Sequence, residues 1–342
     1  MTTTTVERAG TLAIDQRSVG DACRWPRRAA ENGRSAPVRR AGNAHVHDWP
    51  SANERTQHLM EMLAVAGARR DDLVFVGASA AAVWGLPIVG AWPPAVEALA
   101  GARSVTRTGW LAGALARRAV TWHHRSVPDE DLELVGPWMV TSLDRTLSDL
   151  ARRAPFVTAV AALDHGLKPA VRSTDGDVFC GADREELLDR VRRDEGARGR
   201  AKALAAISFA DALSGSPGES LSRVQIHRLG FAAPLLQSRV EHDDGDADYP
   251  DFEWEGTYGE FDGFAKYSRD ECGGGDGPAD IVWQERRRED RLRMHGKAVA
   301  RWTWEDAWNP PRLRSILMTA GVRPVRPAAF SPDAFGEWVV NA

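Results

Sequence analysis

Apolar and polar positions are most regularly spaced between residues 214 and 308. Ser216-Pro217-Gly218-Glu219 opens a helix, with Pro217 suited to its first turn. Leu221, Val224, Ile226 and Leu229 supply its apolar face, and Gly230 ends it. Gln237 to Val240 reads as a strand. Asp243 to Asp248 reads as an acidic hairpin loop around Gly245. Asp251 to Trp254 and Tyr258 to Asp262 alternate as two further strands. Ile281 to His295 reads as a helix ended by Gly296, and Ala298 to Trp304 as a closing strand. On that strand Trp302 and Trp304 share one face, and Arg301 and Thr303 the other. The order is α-β-β-β-α-β.

Upstream, residues 54–180 read as a mixed α/β domain. Leu73-Val74-Phe75-Val76 is a buried strand, and Ser79 an N-cap for the helix Ala80 to Trp84, which stops near Gly85-Leu86-Pro87. Residues 119–125 and Trp138 to Thr141 are strands. Ser142 caps a helix carrying Leu143, Leu147 and Leu150, and Pro155 starts the next. Residues 183–213 form a charged helical connection. Residues 214–320 form the C-terminal domain, followed by a proline-rich tail over 321–342. Residues 1–50 are rich in arginine and weakly periodic. They fit either a degenerate winged helix or a disordered arm.

The 342 residues carry a net charge of −4. This argues against a wholly basic coat and leaves room for a local basic face that meets DNA. Cys23, Cys180 and Cys272 form no CxxC pair, which disfavours zinc and suits a reduced setting. No apolar run approaches the roughly 18–20 residues of a membrane span, and the N-terminus has no apolar signal core. These features predict a cytoplasmic protein with no membrane partner.

The candidate chemistry lies in the acids. Asp251 stands on one strand and Glu260-Phe261-Asp262 on the next. Residues two apart on a strand share a face, so Glu260 and Asp262 can face one ion. Converging carboxylates are a means of holding Mg²⁺ for phosphodiester chemistry. Ten acids lie between Glu241 and Asp262 inclusive, and most of them, Asp243, Asp244, Asp246 and Asp248 included, read as a solvated hairpin loop. Arg287 and Arg291 share a helix face at i, i+4. They suit a nucleic-acid backbone, although neighbouring Glu285, Glu289 and Asp290 also suit a salt-bridged surface helix. Ser79 follows a strand within Gly77-Ala78-Ser79, but the second glycine of a nucleophile elbow is absent. His123 and His124 are adjacent on a strand and point to opposite faces.

On Pro250-Asp251, Glu260-Phe261-Asp262 and the helix glutamate Glu219, the C-terminal domain resembles the PD-(D/E)xK nuclease superfamily. On Ser216 to Ser220, Gln237, Asp251-Phe252, Glu260 to Gly263 and the arginine helix before Gly296 to Val299, it more narrowly resembles very-short-patch-repair endonucleases. The resemblance implies a restriction-endonuclease-like fold and a metal-dependent DNA endonuclease. Asp251 and Glu260, with Glu219, would be the Mg²⁺ ligands. Asp251, Glu260, Asp262 and Lys266 would be the catalytic set. Asp262 stands where the family has lysine; Lys266 would then supply the cation from a shifted position, or else be a solvated loop lysine.

The front half, on Ser79 to Pro87 and Val140 to Leu150, is similar to actinobacterial proteins grouped with the AbiEi antitoxins. That resemblance implies a second reading: a non-catalytic DNA-binding transcriptional regulator with a cognate toxin, keeping the nuclease fold as scaffold.

Overall fold

A computed structural model describes residues 53–67, 73–100, 120–172, 178–179, 181–242, 246–263, 291–292 and 295–328. The expectations for residues 1–50, Lys266, Arg287 and the helix from Ile281 to Asp290 lie outside the described residues. The chain is mixed α/β and divides into two compact units. The first comprises Met1–Ala154 and Gly166–Phe209; the second comprises Pro155–His165 and Ala210–Ala342.

In the first unit, helix α1 (Glu54–Gly67) precedes strand β1 (Val74–Phe75) and helix α2 (Gly77–Trp84). Strands β2 (Val96–Leu99), β3 (Val120–His123), β4 (Leu132–Val135) and β5 (Trp138–Thr141) complete a sheet in the order β3-β2-β1-β5-β4. The alanine-rich α2 is almost wholly buried and ends at Gly85, whose φ of 73° is left-handed. Its start corrects one expectation, because Ser79 is not the N-cap. The cap position is Val76, which offers no side-chain acceptor. Glu97 reaches over from β2 instead, and its Oε2 accepts from the Ala78 N–H at 2.9 Å. Gly77 makes room for this: a Cβ there would lie 1.7 Å from Glu97 Oε2. Burial raises the Glu97 carboxyl above its ordinary value, and the Ala78 hydrogen bond opposes that rise. Ser79 is buried within the helix. Its hydroxyl accepts from Glu97 N–H at 2.9 Å and hydrogen-bonds His58 Nε2 at 2.9 Å.

Helix α3 (Leu143–Arg153) is capped by Ser142, as its sequence predicts. Its buried Asp149 accepts from both terminal nitrogens of Arg125 and from Arg145 Nε. Helix α4 (Phe156–Gly166) follows, then the two-stranded ribbon β6 (Val171–Arg172) and β7 (Val178–Phe179), helix α5 (Arg184–Arg193) and helix α6 (Arg200–Phe209).

The second unit takes in nearly all of α4. From that helix, buried Asp164 accepts from Ser220 Oγ at 2.7 Å, Arg223 at 2.8 Å and the Asp211 N–H at 2.6 Å. Two of those donors sit on helix α7 (Pro217–Arg228), which Ser216 caps with Pro217 in the first turn. Strands β8 (Leu235–Leu236), β9 (Val240–Glu241), β10 (Ala247–Asp248), β11 (Phe252–Trp254), β12 (Thr257–Asp262) and β13 (Ala298–Thr303) follow, then helices α8 (Trp304–Ala307) and α9 (Pro310–Thr319). The main sheet runs β13-β12-β11-β8, with β12 and β13 parallel and its other pairs antiparallel.

Three expectations change here. Gln237 to Val240 is not one strand: Gln237 adopts φ +49° and separates β8 from β9. Asp248 is not a solvated loop acid; it is buried on β10, paired with β9. Trp304 leaves the closing strand and starts α8, so it does not share a strand face with Trp302.

Alternation gives the sheet two different faces. One carries Phe252, Trp254, Phe261 and Trp302. Trp302 donates its indole N–H to Ser222 Oγ on α7 at 2.8 Å. Gly259 lies between the tryptophans, where a Cβ would sit 2.7 Å from Trp302 and 3.0 Å from Trp254. The other face carries Glu253, Tyr258, Glu260, Asp262, Val299 and Arg301, with Tyr258 packed in a cluster with Val240 and Leu292.

Candidate functional site

The site assembles at one end of the second unit. Asp251 is the residue immediately before β11, and its carboxylate does two jobs. Oδ2 accepts from the Phe261 N–H of β12 at 2.8 Å. Oδ1 accepts from the side-chain amide of Gln237 at 3.2 Å. The same amide nitrogen donates to Glu219 Oε2 at 3.3 Å. Glu219 lies in the first turn of α7, and its Oε2 also accepts from the Gly215 N–H at 2.7 Å. A helix acid and a strand acid are thereby tied together by one glutamine. The left-handed backbone at Gln237 turns the chain from β8 toward β9 at the same residue.

The electrostatics follow from this crowding. Glu219 is buried, and burial raises its carboxyl above the ordinary value. The negative charge of Asp251 adds to that rise, while the Gly215 and Gln237 hydrogen bonds oppose it. Two carboxylates held close in a desolvated place favour a cation between them.

Glu260 is buried at 6% exposure, next to Phe261 on β12. Register puts it opposite Arg301 of β13, with both side chains on one face. Asp262 is on that face too, as its spacing predicts, but it is exposed near the strand end. Arg291 is ion-paired with Asp248, through Nε at 3.0 Å and Nη2 at 2.8 Å. Burial pushes the Asp248 carboxyl up, but hydrogen bonds from Arg291 and His242 outweigh that and hold it below its ordinary value.

Among the described residues, no three His, Cys, Asp or Glu side chains converge closely enough to hold a metal ion. Glu219 and Asp251 are the residues that could hold a hard cation. Mg²⁺ takes oxygen ligands, and one or two protein carboxylates with several waters suffice. The donor set fits that ion.

The bridging role of Gln237 and the register of Arg301 were missed by sequence reasoning. Gln237 carries no spacing signal, because its function depends on the left-handed turn. Arg301 could be assigned to the face away from Trp302, but its partner strand could not. Among the described residues, no helix is long and apolar enough to cross a membrane. No family model, curated protein or solved structure matches this chain.

Proposed function

We propose that the second unit is a metal-dependent DNA endonuclease-like domain of the PD-(D/E)xK kind, hydrolysing phosphodiester bonds. The observation that carries this reading is the Gln237 amide spanning Glu219 and Asp251. Holding a buried and a half-buried carboxylate close together costs folding free energy, and such perturbed pairs cluster at functional sites. The element order supports the reading: α7 precedes three strands of the main sheet, and β13 adds to β12 in parallel.

Bound Mg²⁺ would supply Lewis-acid polarisation of a phosphate and a water of lowered pKa. The chain's own residues then have distinct tasks. The Phe261 N–H fixes Asp251 in place. Gln237 sets the spacing of the two acids. Glu260 lies one residue from Phe261, whose N–H holds Asp251, and stands beside the pair without joining it as a third ligand. Arg301, opposite Glu260, offers a cation on the face where Asp262 replaces the family's lysine. In this reading it contacts a phosphate oxygen, as guanidinium groups do well.

Asp262 itself favours a second reading, in which the domain binds DNA as part of an antitoxin-like regulator without cutting it. An acid in place of the lysine adds negative charge on the face that would meet phosphate. Cleavage of plasmid DNA in Mg²⁺ separates the two. Wild type should nick or linearise the plasmid, and Asp251→Ala and Arg301→Ala should not. Equal cleavage by wild type and Asp251→Ala, or none by either, defeats the enzyme reading. Salt-dependent DNA binding without cleavage would then support the regulator.

A further inference from the structure

Away from the carboxylate pair, a second cluster joins the β9–β10 hairpin to the turn before β13. His242 Nε2 lies 2.8 Å from Asp248 Oδ2, and His242 Nδ1 lies 3.0 Å from Nε2 of His295. The two imidazole rings are 5.1 Å apart, centre to centre. Asp248 is in turn gripped by Arg291. The side chain of His242 is only 7% exposed, whereas His295 faces solvent.

From this geometry we infer that His242 and His295 form a binding site for a divalent transition-metal ion, oriented by Asp248. Asp248 accepts a hydrogen bond from the His242 Nε2–H. In the neutral ring that tautomer leaves Nδ1 as a lone pair. A carboxylate holding the far nitrogen of a ligating histidine is the usual outer support of such sites. That lone pair faces the second imidazole, whose Nε2 binds metal once its proton sits on Nδ1 and the rings turn so that both lone pairs meet at one ion.

The spacing suits one ion. With metal–nitrogen bonds of about 2.05 Å, nitrogens 3.0 Å apart subtend roughly 94° at the metal. Opening the gap by about 0.35 Å reaches the tetrahedral angle. Imidazole donors select ions such as Zn²⁺, Ni²⁺ or Cu²⁺ over Mg²⁺, so this site and the oxygen-lined pair would not compete for one ion. Waters complete the coordination from the exposed His295 side. A bound ion would clasp the hairpin to the turn, beside the packed Val240, Tyr258 and Leu292.

The test is calorimetric titration of the full, untagged chain with Ni²⁺ and with Zn²⁺ in saturating Mg²⁺. One ion should bind per chain. His295→Ala, an exposed change that spares the fold, should abolish that binding. Asp248→Asn should weaken it about tenfold or more, as loss of an outer partner does. Glu219→Gln should leave it unchanged, which keeps the result separate from the nuclease reading. The same ions should raise the melting temperature of wild type and not of His295→Ala. The inference is overturned if wild type binds neither ion, or if His295→Ala binds as wild type does.

Discussion

Gln237 gives the most direct test of how the carboxylate pair is built, because its backbone and side chain can be changed separately. Its φ of +49° is a left-handed conformation, which costs a non-glycine residue about 1–2 kcal/mol. Glycine avoids that cost but loses about 0.5–1 kcal/mol through its freer unfolded chain. Gln237→Gly should therefore be more stable than Gln237→Ala by about 0.5–1 kcal/mol. Both variants lose the amide, whose bonds to Asp251 and Glu219 are long, at 3.2 and 3.3 Å. A hydrogen bond to a charged group is worth about 1.5–3 kcal/mol, and two bonds this long from one nitrogen together give about the lower figure. Gln237→Ala should then fall about 1.5 kcal/mol below wild type, and Gln237→Gly about half as far. For a unit of this size each kcal/mol moves the midpoint by about 2–4 °C, so Gln237→Ala should melt about 3–6 °C early. Thermal and urea unfolding followed by circular dichroism measure all three proteins. If Gln237→Ala matches or exceeds Gln237→Gly, the left-handed strain is not there. If Gln237→Ala equals wild type, the amide does not bridge the acids.

Three further predictions concern the same unit. Glu219→Gln should be more stable than wild type near neutral pH. The folded carboxyl is raised above its ordinary 4.5, so folded protein holds its proton more tightly and loses stability as pH rises through the range above that value. Melts at about pH 4 and about pH 7 should show the advantage open only at the higher pH, and a gap that does not change with pH would contradict this. Ser222→Ala strands the buried Trp302 N–H, at a cost of about 1–3 kcal/mol in denaturant titrations. In a Trp302→Phe background the same change should cost only a few tenths of a kcal/mol, because no donor is left to strand. Gly259→Ala should destabilise by about 1–3 kcal/mol, since its methyl would collide with Trp302 and Trp254; a neutral melt would show that the rings can part.

Local chemistry accounts for most of what could be read before the structure. Ser142 caps α3 because its oxygen needs only the Arg145 N–H three residues on, which sequence displays. The alternation at 252–262 likewise carries its own period. The failures at Ser79 and Asp248 involve groups distant in sequence. Ser79 resembles a cap, but Glu97, eighteen residues later, takes the Ala78 N–H and leaves the serine inside the helix. Asp248 looks like one acid among ten until Arg291, forty-three residues away, pairs with it. Asp251 and Glu219 were legible as candidates from motif spacing. That a single glutamine joins them was not, because the joint needs a backbone conformation that glutamine seldom adopts.

Asp164 has a consequence for how this domain can be moved. It sits on a stretch of eleven residues, Pro155–His165, that belongs to the second unit while the chain on either side belongs to the first. A fragment beginning at Ala210 would contain Glu219, Gln237, Asp251 and Glu260. It would nonetheless leave Arg223 and Ser220 facing the place of a missing carboxylate. The second unit is therefore encoded in two separate stretches of the chain. Recombination that copies only the later one would transfer every site residue without the helix that brings Asp164 to α7.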